Sequence, residues 1–352
     1  MNTTYMNATI TDYSTVIRKR RRTSLLLIAL LLSNTPNLFA QNPNLGTSGA
    51  QFLKIPVGAR ASAMAGAYIA HAQDATALFW NPAGIVNVRS NDLAVSHTEW
   101  WASLALNHAA FVHSIRDVGS LGVSVSVLTM DKMEVTTELQ PEGTGEFFDA
   151  QDLMFGVSYA RRLTDDFSVG LTAKYVQQRI WNESASGFAF DVGTQYRIGF
   201  RDLTIAMSMT NFGGDMKYSG RDLRVTYDRN SQITYNRLSP SELSTEEYPL
   251  PLHFQVGLSM TAFSTEDVSM LVAVDVTHPN DNSEHVNVGA EIQAFERAYL
   301  RGGYRFGYDI ERATFGAGVV APLGDLMLRF DYAYATYNLL PNISRFSLGV
   351  QF

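Results

Sequence analysis

The chain has 352 residues, enough for one large barrel or about two ordinary domains. Apolar residues make up 46% and charged residues only 17%, against a usual charged share of roughly 25%, so the charge content is low for a soluble protein of this length. The formal net charge of −7 gives no electrostatic case for nucleic-acid binding, and the absence of cysteine excludes disulfides, thiolate metal sites, a cysteine nucleophile and a lipidated N-terminal cysteine.

The first element is an export signal. Arg18-Lys19-Arg20-Arg21-Arg22 is a basic cluster, Leu25 to Leu32 are all apolar, and polar Ser33 to Asn37 lead to Leu38-Phe39-Ala40. This order predicts a secretory signal peptide over residues 1–40, cut after Ala40. Leu38 is larger than the small residue usual at its position. The seventeen residues before the basic cluster are long for such a signal, which points to a start downstream of Met1. A membrane anchor is the alternative, but eight apolar residues fall far short of the ~20 that span a bilayer. Cleavage would remove five basic residues and Asp12, leaving 22 Lys and Arg against 33 Asp and Glu and a net charge of −11.

Residues 46–84 follow, rich in Gly and Ala and without strand alternation. Everything after about Asn91 does alternate, hairpin after hairpin. The contrast predicts three parts: the signal peptide, a small helical or irregular plug over residues 41–90, and a barrel over 91–352 that holds it. Asp74 can cap a short helix running to Phe79 or Trp80, and Pro82 stops it. Small residues from Gly58 to Ala67 allow close approach to a wall. Asn81 is expected to bond backbone groups at that stop or a polar residue of the lumen, with helix termination as its plainer role. Gly84 permits a turn that a β-branched residue could not make.

The strands read with period two. Leu153, Phe155, Val157 and Tyr159 point one way, Met154, Gly156, Ser158 and Ala160 the other. Phe188 and Phe190 oppose Ala189 and Asp191; Val272, Val274 and Val276 oppose Ala273 and Asp275; Phe346, Leu348, Val350 and Phe352 oppose Ser347, Gly349 and Gln351. Weaker strands fit at 93–97, 106–114, 298–304 and 313–320. The count is fourteen, an even number, as single-chain outer-membrane barrels of bacteria have. Numbered from the first hairpin, the even connections are short and two odd ones, 129–150 and 211–250, are long. Short turns on the periplasmic side and long loops outside are the asymmetry of such barrels. The fold class expected is therefore all-β: a fourteen-stranded antiparallel transmembrane barrel with the plug in its lumen, and Leu153, Phe155 and Val157 facing lipid.

The two strand faces agree with this. One carries both charge signs (Lys174, Asp191, Asp275, Glu291, Arg301, Arg329, Asp331); the other is nearly uncharged. The alternative is a large soluble sandwich with an apolar core face. Trp100, Trp101, Tyr304, Tyr308, Tyr334 and Tyr337 fall near strand ends, where interface girdles sit, which favours the barrel. The terminal Phe352 resembles the signal that the outer-membrane assembly machinery reads.

A family resemblance rests on the plug. Gly58-Ala59-Arg60-Ala61, Met64-Ala65-Gly66-Ala67-Tyr68, Asp74-Ala75-Thr76-Ala77 and Phe79-Trp80-Asn81-Pro82-Ala83-Gly84 resemble the N-terminal signature of PorV/PorQ-family outer-membrane proteins. More distantly they resemble the FadL long-chain fatty-acid transporters. The loop containing Pro141, Gly143, Thr144 and Gly145 is also similar to one of this family and is the candidate partner-binding loop. The resemblance implies a fourteen-stranded barrel with an N-terminal plug, in a group that includes parts of type IX secretion.

Chemical motifs are sparse. The seven histidines form no His-Glu-x-x-His and there is no Gly-x-Ser-x-Gly elbow or phosphate-cradling loop. Neither a catalytic function nor a cofactor is expected, although an outer-membrane hydrolase would need no local motif. His278 and His285 flank Asp281 and Glu284, a cation site or, more plainly, a solvated acidic turn. Two functions remain. One is a protein-binding barrel whose outer loops grip secreted cargo or secretion-system proteins. The other is a FadL-like channel for a hydrophobic small molecule, with the plug as a hatch or as a permanent stopper. A channel needs a continuous apolar path past the plug, whereas the inward faces read as polar.

Overall fold

The computed structural model describes residues 44–228 and 238–352. The expected signal peptide, residues 1–40, lies outside them, as does part of the long connection after residue 211.

The alternating segments form fourteen wall strands: β1 (Asn91–Glu99), β2 (Leu104–Ile115), β3 (Gly119–Met130), β4 (Ala150–Arg162), β5 (Phe167–Ile180), β6 (Glu183–Ile198), β7 (Leu203–Gly213), β8 (His253–Ser264), β9 (Val268–Pro279), β10 (His285–Ala294), β11 (Ala298–Phe306), β12 (Glu311–Leu323), β13 (Leu326–Tyr337) and β14 (Ile343–Gln351). Each pairs antiparallel with the next, and β1 pairs with β14 from Asp92↔Gln351 to Thr98↔Arg345, which closes the ring. Closure leaves no unpaired sheet edge in the wall.

Period two decides what faces where. Phe155, Val157, Leu171, Phe190, Leu258 and Val274 are exposed on the outside, and Leu153 shares their face half-buried. The seven charged residues expected on the opposite face all turn inward. An apolar exterior around a charged, filled interior is the inverse of a soluble protein and suits a lipid surround. The β6–β7 ladder shifts register at Asp191, whose Oδ1 accepts the Asn211 N–H at 2.8 Å while Oδ2 pairs with Lys174 at 2.6 Å. These buried partners satisfy the backbone group that the bulge frees.

The aromatic reading needs one correction. Tyr304 and Tyr334 lie on the outer face, but Trp100, Trp101, Tyr308 and Tyr337 line a cavity at the long-loop end of the lumen. Parity explains two of these: Trp100 continues the inward set of Asp92, Ala94 and Thr98, and Tyr337 that of Ala333 and Ala335, while Trp101 and Tyr308 lie in the connections beyond β1 and β11.

Phe352 lies one residue past β14, yet it still exchanges both backbone bonds with Asn91 (3.0 and 3.1 Å) and its ring stacks on Phe111. It therefore completes the seam where the ring closes. Deleting Phe352, or replacing it with Ser, is expected to slow assembly. Pulse-chase labelling with a heat-modifiability gel checks this; an unchanged rate would show that the terminal aromatic is not read.

Candidate functional site: the plug and the outer vestibule

Inside the wall, residues 44–90 fold as four short helical turns: a 3-10 turn (Gln51–Lys54), α1 (Ala59–Ala63), α2 (Ala77–Trp80) and a second 3-10 turn (Pro82–Asn87). They are short because Gly58, with φ 81°, and Pro82 interrupt them. The chain enters at the long-loop end, where the Gly46 and Gly49 amides donate to the Asp281 and Pro249 carbonyls. It leaves at the short-turn end beside β1. Met64, Ala65, Ala67, Tyr68 and Ile69, at the middle of this path, are 0% exposed.

The plug motif packs against the wall. The Asn81 amide donates to the Ile69 carbonyl (3.1 Å) and to the Thr194 carbonyl of β6 (3.1 Å), and its Oδ1 accepts the Ala83 N–H (3.1 Å). Asn81 thus caps the turn that Pro82 begins, in addition to following α2. Pro82 packs on β5 at Gly170, and Asn81 on β6 at Gly193; a side chain at either glycine would collide with the motif. Ala83 and Gly84 are buried, and the Trp80 indole N–H donates to the Val57 carbonyl at 2.9 Å.

Asp74 does more than cap. Its Oδ1 accepts the Thr76 N–H (2.9 Å) and hydroxyl in the turn leading into α2. Its Oδ2 accepts the Tyr68 hydroxyl (3.1 Å) and faces Arg329 of β13 (3.4 Å) and Arg60 of the plug (3.8 Å). Arg329 in turn grips Asp92 of β1 through both carboxylate oxygens (2.8 and 2.9 Å). On the other flank, Arg60 forks onto Glu291 of β10 (2.9 and 2.7 Å), which also takes Arg301 of β11, and Arg301 reaches Asp331 of β13 (2.6 Å). The wall carboxylate Asp275 receives the Tyr68 and Ile69 amides (2.8 and 3.1 Å). Paired, hydrogen-bonded charges are the form in which buried ions are tolerated, and removing one partner costs several kcal/mol, roughly 3–5. The plug is latched to at least four wall strands.

The latch has a pH dependence. Burial alone would raise the pKa of Asp74, but the Arg329 and Arg60 guanidiniums and the Thr76 donors outweigh it and hold the carboxyl below its ordinary value. A depressed folded pKa gives stability that is complete above the unfolded value of about 3.9 and is lost as pH falls through the folded one. The seal is expected to stay tight in planar bilayers at pH 5 and to loosen only in stronger acid, whereas Asp74→Asn should conduct at pH 7. Equal conductance of the two proteins at pH 7 would remove Asp74 from the latch.

Two cavities lie on either side of the plug. The short-turn one, of about 680 Å³, is polar, with His71, Gln73, Arg89, Arg162 and Arg197 on its walls. Arg162 and Arg197 both donate to Asn87 Oδ1 (3.1 and 3.2 Å). The long-loop one, of about 1050 Å³, opens outward and is amphipathic. Trp100, Trp101, Leu104, Leu128 and Ile310 form its apolar side, and Asp152, Gln178, His285, Arg305 and Glu311 its polar side.

The loop at Pro141, Gly143, Thr144 and Gly145 stands apart from the plug motif and from this vestibule's lining. It is folded on itself: the Gly145 amide donates to Glu134 Oε1 (3.1 Å) and that of Thr144 to the Val135 carbonyl (2.8 Å), with Pro141 and Gly145 exposed. The acidic turn does not converge on a cation. Asp281 pairs with Lys54 (2.8 Å) and Gln51 (2.6 Å), while Glu284 bonds the exposed His278 (3.0 Å). Sequence reasoning missed Arg305, Glu311 and Arg345, which meet only through the register of β11, β12 and β14. Alternation would have put Arg345 inward with Ser347.

A family model described as Type IX secretion system protein PorV matches residues 39–221, just over half of the chain. The chain belongs to the PorV family. No curated protein matches it. Among solved structures it is similar in fold to the Ralstonia pickettii toluene transporter TbuX (TM-score 0.53, 13% identity, 84% of this chain and 97% of that one). It is equally similar to the CymD monoaromatic hydrocarbon channel (0.54, 13%, 84% and 96%) and to a Pseudomonas aeruginosa FadL homologue (0.51, 11%, 84% and 98%). These likenesses show the shared barrel. This PorV-family chain is an outer-membrane β-barrel.

Proposed function

We propose that this barrel is a protein-binding component of surface secretion, which holds a secretion-system protein or its cargo at the outer vestibule. The observation that carries the reading is the plug's position between two unlike cavities. The outer one is roomy, open and amphipathic; the plug beneath it is buried through its middle and charge-latched; the inner one is polar. An apolar solute would meet buried ion pairs and then an arginine-lined mouth, whereas a protein segment needs only the vestibule and the outer loops. The loop at Pro141–Gly145 and the outer rim would supply further contacts. The remaining partners are outer-membrane lipid around the wall and the assembly machinery at Phe352.

The apolar side of the vestibule favours a second reading, a channel for a hydrophobic small molecule with the plug as hatch. Co-purification from native membranes, with mass spectrometry of bound protein and lipid, separates the two when run beside toluene and oleate uptake by cells with and without the gene. Stoichiometric protein and unchanged uptake support the first reading. Uptake that depends on the barrel, with no protein retained, would overturn it.

A further inference from the structure

The short-turn mouth of the barrel gathers two cations on one neutral atom. Arg162, the last residue of β4, and Arg197, near the end of β6, both donate through Nη2 to Asn87 Oδ1, at 3.1 and 3.2 Å. Like charges drawn to one point repel unless an anion joins them. Among the described residues no carboxylate lies within ion-pair distance of either guanidinium, or of Arg89 on the wall of the same cavity. The other N–H groups of Arg162 and Arg197 have no acceptor among those residues either.

The amide that draws the two arginines has a fixed orientation. Gln195 of β6 commits its NH2 group to the Ile69 and Ala72 carbonyls (3.0 and 3.2 Å), so its Oε1 is left to accept, and it accepts the Asn87 amide at 3.2 Å. Asn87 therefore turns its oxygen to the arginines. Asn87 ends the second 3-10 turn, where the plug leaves the lumen.

The cavity beside them shows what kind of anion fits. Its volume of about 680 Å³ is far more than a bare ion needs. Gln73, Thr204, Ser259 and Thr261 give its walls an amide and three hydroxyls. Ser259 is 3% exposed, and its hydroxyl has no partner among the described residues. Asp202 lines the same cavity, and Asp165 and Asp166 line a narrow pocket that shares both arginines with it. These acids disfavour a doubly charged phosphate and leave a singly charged group as the better match. The polar walls offer little to an acyl chain.

We infer that the short-turn mouth is a binding site for a small hydroxylated carboxylic acid, whose carboxylate bridges Arg162 and Arg197 and whose hydroxyls reach Thr204, Ser259 and Thr261. The carboxylate takes the guanidinium N–H groups that Asn87 leaves free, the pairing for which that planar fork is suited. Bound there, it ties β4 and β6 to the plug's exit, a hold that shares no residue with the Asp74 and Glu291 ion pairs. The site does not depend on what the vestibule holds.

Isothermal titration of the purified full-length barrel in an uncharged detergent, with gluconate, its neutral counterpart sorbitol and inorganic phosphate at one ionic strength, tests this. Gluconate should bind at least tenfold more tightly than either of the others. Arg162→Gln combined with Arg197→Gln, checked for folding by heat-modifiable mobility, should weaken gluconate at least tenfold. Asn87→Asp should do the same by the opposite route, because it sets a tethered carboxylate between the guanidiniums. No difference between gluconate and sorbitol on the unaltered protein overturns the site without any variant. So does gluconate binding that is unchanged in the folded double variant or in folded Asn87→Asp. Phosphate binding as tightly as gluconate overturns the choice of a carboxylate.

Discussion

Deleting residues 46–84 is expected to leave a barrel that inserts but leaks. The wall does not need the plug to close, because its fourteen strands pair with one another and β1 meets β14 directly. Several lumen charges also keep partners without the plug: Arg301 stays with Glu291 and Asp331, Arg329 with Asp92, and Lys174 with Asp191. Asp275 loses the Tyr68 and Ile69 amides but gains water. What disappears is the material that fills a lumen too wide for wall side chains alone. Cells carrying the deletion should become sensitive to vancomycin, which an intact outer membrane excludes, while the heat-modifiable band persists. Loss of that band would make the plug a folding nucleus. A tight barrel without the segment would mean that it is not the seal.

The second large effect concerns the lipid face. Val274 sits mid-strand in β9, 39% exposed, beside Leu258 and Val288 on its neighbours. Val274→Arg places a cation at mid-bilayer depth, which costs roughly 2–4 kcal/mol in such barrels. The same change at Leu323, exposed at the short-turn end of β12, should cost only about 0–1 kcal/mol because the side chain reaches the interface. Urea titration of barrels refolded into vesicles measures both. Equal destabilisation at the two sites would contradict a bilayer around this wall.

Much of the wall was legible in the sequence because burial on a strand has a strict period. Leu153, Phe155 and Val157 could be set against Ser158 without any knowledge of their neighbours, and loop parity supplied the orientation. The plug was legible by contrast: Gly and Ala without alternation, ending at Asn81-Pro82-Ala83-Gly84. The latch was legible only as a list of inward charges. That Arg60 meets Glu291, or Arg329 meets Asp92, follows from strand register and from the plug's path, neither of which a local pattern contains. Trp100 and Tyr337 were misplaced for a related reason. Nearness to a strand end says how deep a ring lies, while parity says which side it faces, and parity was the stronger rule here. Arg345 escaped notice because its neighbours in sequence, Ser344 and Phe346, are ordinary wall residues, and its surroundings are set by the register of β13 and β14.

The most direct test of a sealed barrel that holds protein at its outer mouth is site-specific photocrosslinking in living cells. A benzophenone amino acid at Ile310, on the vestibule wall, is expected to give discrete higher-mass protein adducts, while one at Val86, on the polar inner cavity, gives none of that mass. No protein adduct at Ile310, in cells where the barrel is fully assembled, would contradict the account.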